Sequence, residues 1–227
     1  MSLQTSIECV LFDLDGTLID TAPDFIQVVN KLLEEEQRTS IDSNLIYQTV
    51  SDGARALVKL AFAIEEDAEE FPKLNQRLLD LYKEQIKATE AFLYPSLDSL
   101  LQKLEQARIP WGIVTNKPEL YTVALLNELA LSERCSVLVC PDHVKNRKPH
   151  PEPILLACEK LHCDIEKTVY IGDHQRDIQA AKNADVIAIA AGYGYLNAES
   201  KIEEWYADFI VHQPEQIEPL LNILNFT

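Results

Sequence analysis

No stretch of this sequence stays apolar for the ~20 residues that a bilayer-crossing helix needs. No basic-then-apolar leader opens it either, so neither a membrane span nor export is expected. Basic charge is scarce: 20 Lys and Arg stand against 37 Asp and Glu. The resulting net charge of −17 excludes a sequence-independent grip on nucleic acid or an anionic membrane, both of which need a basic face. Cysteine is limited to five, an odd number, at Cys9, Cys135, Cys140, Cys158 and Cys163. The C-x₄-C spacings, with His143, His150 and His162 nearby, sit at the loose end of structural zinc patterns. Reduced core thiols are therefore expected, and with them a cytoplasmic protein. What is present suits a folded chain. Hydrophobic residues make up 47% of 227, too many for disorder, and the length accommodates one ordinary domain plus a smaller one.

The most informative stretch is Val10-Leu11-Phe12-Asp13-Leu14-Asp15-Gly16-Thr17. An apolar run rich in β-formers ends in two carboxylates two residues apart, as a buried strand does where it leaves its sheet. Gly16 immediately afterwards permits a sharp turn, so both acids can be aimed into one crevice. Neighbouring acids repel, and both stay ionised only beside a cation.

Beyond Thr17 the period becomes helical. Phe25, Val28, Val29, Leu32 and Leu33 mark a helix over residues 22–36, with Thr21 as its N-cap and Pro23 in the first turn. Helical character continues through 45–50, 54–62 and 74–86, interrupted by a solvated acidic cluster at 65–70, and no strand signal falls between about 20 and 92. So long an excursion is no ordinary connection. It predicts an all-helical domain over residues 20–92, inserted into a core domain built from 1–19 and 93–227. From Pro95 onward strands alternate with helices: strands at 110–116, 136–140, 168–173, 186–191 and 209–212, helices at 97–107, 121–129, 153–161, 177–183 and 214–224. The fold class is α/β, a Rossmann-like parallel sheet covered on both faces. Ligands in such sheets bind beyond the carboxyl ends of the strands.

Four such ends carry chemistry: Asp13 and Asp15; Thr115 and Asn116; Lys148, in a loop stiffened by Pro149 and Pro151; and Asp173, with Asp177 four residues on. Each alone has a plain explanation as a turn, a loop charge or a helix cap. Together they supply acids for a metal, a hydroxyl and amides for an oxyanion, and a fixed cation.

These four motifs, in this order and spacing, resemble those of the haloacid dehalogenase superfamily, and a helical insert directly after the first motif resembles that superfamily's first cap class. Within it the chain is similar to the phosphoglycolate phosphatase-like group. Asp20-Thr21-Ala22-Pro23-Asp24, Gly53-Ala54-Arg55-Ala56-Leu57, Gly112-Ile113-Val114-Thr115-Asn116-Lys117-Pro118 and Gly192-Tyr193-Gly194-Tyr195 resemble its N-acetylmuramic acid 6-phosphate phosphatase branch. His174 departs from the small hydroxyl residue often found at its position.

The resemblance implies a Mg²⁺-dependent phosphatase of a small phosphorylated metabolite, 2-phosphoglycolate or a sugar phosphate such as N-acetylmuramic acid 6-phosphate. Asp13 would be the nucleophile and Asp15 the general acid–base, with Thr115 and Lys148 completing the catalytic set. Asp13, the Asp15 backbone carbonyl and Asp173 would hold Mg²⁺, with Asp177 supporting them. Gly16, Asn116 and Arg55 would contact substrate, Arg55 reaching an anionic group from the mouth of the cap. Hinges would fall near residues 20–23 and 92–95. A phosphosugar mutase of the same superfamily and a receiver-like phospho-acceptor module stay open as alternatives, and the chain is expected as a monomer or homodimer.

Overall fold

Cys9–Phe12 forms β1, and all four of its residues are fully buried. That burial on both faces requires layers on both sides, which the rest of the chain provides. The computed structural model describes residues 7–197 and 199–224; residues 1–6 of the expected core segment lie outside these. After β1 come β2 (Ile19–Asp20), α1 (Ala22–Glu35), α2 (Ser43–Thr49), α3 (Ala54–Phe62), α4 (Phe71–Gln85) and β3 (Phe92–Leu93). Then follow α5 (Leu97–Gln106), β4 (Trp111–Val114), α6 (Glu119–Glu128), β5 (Val137–Val139), α7 (Glu152–Leu161) and β6 (Thr168–Gly172). The chain ends with α8 (Gln175–Asn183), β7 (Ile187–Ala191), β8 (Phe209–Val211) and α9 (Ile217–Ile223).

Six strands make one sheet in the order β5-β4-β1-β6-β7-β8, every pairing parallel. This is the expected α/β, Rossmann-like architecture. Alternation along β1 splits the core: Val10 and Phe12 pack into one cluster, Cys9 and Leu11 into another. The first cluster runs on without a break into α1–α4 through Phe25, Val29, Leu57 and Leu78, so the helical insert shares the hydrophobic core of one sheet face. No helix among the described residues is long and apolar enough to cross a membrane.

Two details differ from expectation. The insert begins and ends on a small antiparallel pair, β2 with β3, Ile19 opposite Leu93 and Asp20 opposite Phe92. Strands of two residues carry no readable period, so the sequence shows none there. Thr21 does occupy the N-cap position of α1, but its side chain makes no capping bond. Its hydroxyl donates to Asp15 at 2.6 Å, while the Thr21 and Ala22 N–H groups donate to the Tyr195 hydroxyl at 2.6 and 2.9 Å. The Ala22 N–H is shared with Asp20 Oδ1 at 3.0 Å, so a local carboxylate and a hydroxyl from far along the chain cap the helix together. In the same turn, buried Asp24 accepts from the Glu90 N–H at 2.8 Å and from Gln85 at 3.2 Å, tying the start of α1 to the far end of the insert.

Candidate active site

The carboxyl ends of β1, β4 and β6 are level: Phe12 lies opposite both Ile113 and Ile171. Asp13, Thr115 and Asp173 follow within two residues of these positions, so three adjacent strands deliver polar side chains to one edge. The Asp13 N–H donates to the Ile171 carbonyl at 2.8 Å, extending the ladder one residue before the chain turns away. Gly16 makes that turn with φ +76°, and a Cβ there would lie 2.2 Å from Asp173 Oδ2. Glycine is therefore needed both for the left-handed backbone and for the close approach of Asp173.

Lys148 is fully buried among these ends. Its Nζ lies 2.9 Å from Asp13 Oδ1 and 2.7 Å from Asp177 Oδ1, and it donates to the Val114 carbonyl at 3.0 Å and the Tyr170 hydroxyl at 2.7 Å. The Asn116 amide donates to the Lys148 carbonyl at 3.0 Å, so this side chain anchors the lysine loop. Thr115 Oγ1 accepts from the Lys117 N–H at 3.2 Å. The Leu14 N–H donates to Asp13 Oδ1 at 2.7 Å.

Carboxylate oxygens of Asp13, Asp173 and Asp177 come within 4.8 Å of one another, and among the described residues no other group of three acids, cysteines or histidines does so. The cysteine–histidine spacings thus build no zinc site there. Burial raises the Asp13 pKa, but the Lys148 charge and the bonds from Lys148, Leu14 and Thr115 outweigh it and hold the carboxyl below its ordinary range. Asp173 is pushed up to about 7 by burial and by the charges of Asp13 and Asp177, despite bonds from the Tyr195 N–H and Ser51. Burial also raises Asp177, against the pull of Lys148. Three carboxylates share one ammonium, so ionising all three leaves an excess of negative charge. A small, all-oxygen donor set with that excess fits a hard divalent cation.

The Asp15 carboxylate lies outside this cluster. Its Oδ1 accepts from Thr21 Oγ1 at 2.6 Å and from Lys117 Nζ at 2.7 Å. Sequence reasoning passed over Lys117, because a lysine between a strand end and a proline reads as a solvated loop charge until the groups covering it are known. Two contacts with Asp173 could not be read from the chain: Ser51 donates to its Oδ2 at 2.9 Å and Thr17 to its Oδ1 at 3.1 Å. Ser51 belongs to the insert, so a cap residue reaches the acid cluster directly. Beside it, His174 Nε2 lies 3.3 Å from Asp52 Oδ1, giving the unusual residue of the fourth motif a partner on the insert.

A cavity of about 610 Å³ opens between sheet edge and insert, lined by Asp13, Asp15, Thr115 and Lys117 below and Gly53, Arg55, Lys59 and Asn75 above. Arg55 lines it as a half-exposed side chain, its guanidinium paired with Glu66 and 5.0 Å above the Phe71 ring. The acidic cluster at 65–70 is thus not purely solvated: Glu66 orients Arg55, and Glu65 pairs with Lys59 at 2.5 Å.

A parallel sheet whose central strand ends in this acid cluster, with a lysine from a later loop, defines a class. The chain matches the haloacid dehalogenase-like hydrolase family over residues 10–191 and belongs to it. Among curated relatives, it is 39% identical over 216 residues to the N-acetylmuramic acid 6-phosphate phosphatase of Pseudomonas putida, covering 95% of this chain and 96% of that one. It is 41% identical over 208 residues to the phosphoglycolate phosphatase of Xanthomonas campestris pv. campestris, covering 92% and 93%. The crystal structure of a predicted phosphoglycolate phosphatase from Haemophilus somnus 129pt matches with a TM-score of 0.83 at 26% identity, covering 97% of this chain and 99% of that one. The protein is accordingly an enzyme, a phosphoric monoester hydrolase of the phosphoglycolate phosphatase-like kind, and the receiver-like reading is set aside.

Proposed function

We propose that the enzyme hydrolyses a sugar phosphate bearing a carboxylate, of the N-acetylmuramic acid 6-phosphate type, with Mg²⁺ and an aspartyl-phosphate intermediate. The observation that carries the reading is the environment of Asp13: held ionised by Lys148 at 2.9 Å, yet 13% exposed to the cavity. An ionised carboxylate with one open side is a competent nucleophile toward phosphorus. Its attack forms an acyl phosphate as the P–O bond to the leaving group breaks. Asp15 protonates the departing oxygen, then takes a proton from the water that hydrolyses the intermediate. Lys148 and Thr115 stabilise charge at the phosphoryl group, and Asn116 acts by holding the lysine loop. Asp13, Asp173 and Asp177, with the Asp15 backbone carbonyl, would hold Mg²⁺, which when bound offsets the charges of nucleophile and phosphate so that they can meet.

Residues 20–92 act as a cap over a core of 1–19 and 93–227, hinged at the paired β2 and β3. The cavity, about 610 Å³, has room for a sugar phosphate. Arg55 at its mouth supplies a cation for the substrate carboxylate. Five unpaired thiols support a reducing, cytoplasmic setting.

The test is phosphate release across a panel of phosphorylated metabolites, with and without Mg²⁺. The reading predicts metal-dependent hydrolysis, fastest for a carboxylate-bearing sugar phosphate. Preference for phosphoglycolate would overturn the substrate assignment. Isomerisation of a hexose 1-phosphate without net release would favour a mutase.

A further inference from the structure

We infer that Lys117 is a positioning residue for the proton-transfer step, holding Asp15 by one oxygen while two aromatic rings of the helical insert hold Lys117 in turn. This rests on the reading of Asp15 as general acid–base given above. Lys117 leaves the loop after β4 and is nearly buried, its side chain 6% exposed. Its Nζ lies 2.7 Å from Asp15 Oδ1, 4.6 Å from the centre of the Tyr82 ring and 5.1 Å from that of Phe25. Those rings stack on each other with centroids 4.3 Å apart and an interplanar angle of 13°. Phe25 belongs to α1 and Tyr82 to α4, so neither comes from the sheet that carries Asp15.

A buried ammonium is tolerated only when opposite charge and polarisable groups replace its water. Here one carboxylate does so, with the flank of the stacked pair beside it, and little freedom remains for the side chain. Both bonds to the Asp15 carboxylate, from Thr21 and from Lys117, land on Oδ1; among the described residues, Oδ2 accepts none. One oxygen is clamped and the other is left for the leaving group. General-acid catalysis demands such placement, because proton transfer needs the donor oxygen within hydrogen-bond reach of the departing atom. Had Lys117 only to neutralise Asp15, an exposed lysine would serve. The aromatic clamp adds direction, and it makes that direction depend on the seating of the insert over the sheet.

Leaving-group dependence tests this. An alkyl phosphate leaves as a strongly basic alkoxide and needs the acid, whereas 2,4-dinitrophenyl phosphate leaves as a weak base and does not. For Lys117→Met, kcat/KM for a sugar phosphate should fall by about 30-fold or more, and that for the dinitrophenyl ester by no more than about 3-fold. In an Asp15→Asn background the same substitution should leave the ratio of the two substrates unchanged, because the group it positions is already gone. Tyr82→Leu, which keeps the ammonium and removes one ring, should shift the ratio in the same direction by a smaller factor. It carries the test should Lys117→Met fail to fold. Equal losses on both substrates would assign Lys117 to stability or phosphate binding and overturn the inference, as would an undiminished shift in the Asp15→Asn background. Failure of the unmodified enzyme to hydrolyse either ester would instead overturn the phosphatase reading itself.

Discussion

Two buried lysines flank the two acids at the end of β1, and they are held in different ways. Lys148, beside Asp13, takes all of its partners from the sheet and its flanking helix: Asp13, Asp177, the Val114 carbonyl and the Tyr170 hydroxyl. Lys117, beside Asp15, has one partner from the sheet edge and two rings from the insert. On the proposed roles, the ammonium beside the nucleophile is in place once the parallel sheet and α8 form, and from the insert only Ser51 reaches the acids there, at Asp173. The proton-transfer half is complete only when the insert sits over it. A phosphatase gains from this division, since charge around the phosphorus must be preorganised while proton transfer must wait until water is excluded.

Substitutions on the two sides should separate these halves, and the largest effect belongs to the sheet side. Asp13→Asn removes the proposed nucleophile and should lower kcat by on the order of 10⁴-fold for alkyl and aryl phosphates alike. Steady-state phosphate release checks this, and retention of a tenth of the activity would exclude Asp13. Next comes Lys148→Met, which leaves buried carboxylates without their ammonium. It should cost about 3 kcal/mol or more of stability and about 10²-fold or more in kcat, read from denaturant unfolding and from turnover. A loss confined to sugar phosphates would place Lys148 with the leaving group instead.

The third prediction concerns pH in the metal-free protein. The Asp173 pKa is raised from its ordinary value near 4 to about 7 by burial and by Asp13 and Asp177. Its protonated form is thus favoured in the folded state. The stability this confers is fully present below the unfolded pKa and is lost as pH rises toward 7. Thermal melting without divalent metal should accordingly fall between about pH 4 and 7. Asp173→Asn should flatten that decline, and added Mg²⁺ should stabilise the unmodified chain more at pH 8 than at pH 5. A melting curve in which the substitution leaves the pH slope intact would contradict this account of the acid cluster.

Smallest is the effect at the insert's exposed rim. Arg55→Ala should raise KM for a carboxylate-bearing sugar phosphate by about 3- to 10-fold, with little change for p-nitrophenyl phosphate, because a half-exposed charge is largely screened by solvent. An equal change for both esters would move Arg55 from substrate recognition to the packing of the insert.

Much of this architecture was legible in the chain. Asp13, Lys148, Asp173 and Asp177 each occupy a place that local pattern marks: the end of an apolar run, a proline-stiffened loop, the start of a helix. The helices of the insert could be read for the same reason, since Phe25, Val28, Val29, Leu32 and Leu33 recur at helical spacing and are all buried. Other features had no local mark. The pairing of β2 with β3 joins residues more than 70 positions apart through strands too short for a period. Tyr195, which shares in capping α1, and Ser51, which reaches Asp173 from the insert, carry no sign of those partners in the chain until the fold sets them together.

By itself, then, the order of residues determined the alternation of strand and helix, the long helical insertion and the set of acids gathered at one sheet edge. Those depend on periodicity and on strand ends, which are properties of neighbouring residues. Only the tertiary structure decided that Gly16 makes room for Asp173, that Asn116 holds the lysine loop, and that Lys117 is buried between Asp15 and two stacked rings. Burial and the direction of a side chain are set by what packs against it, and for these residues that partner lies far along the chain.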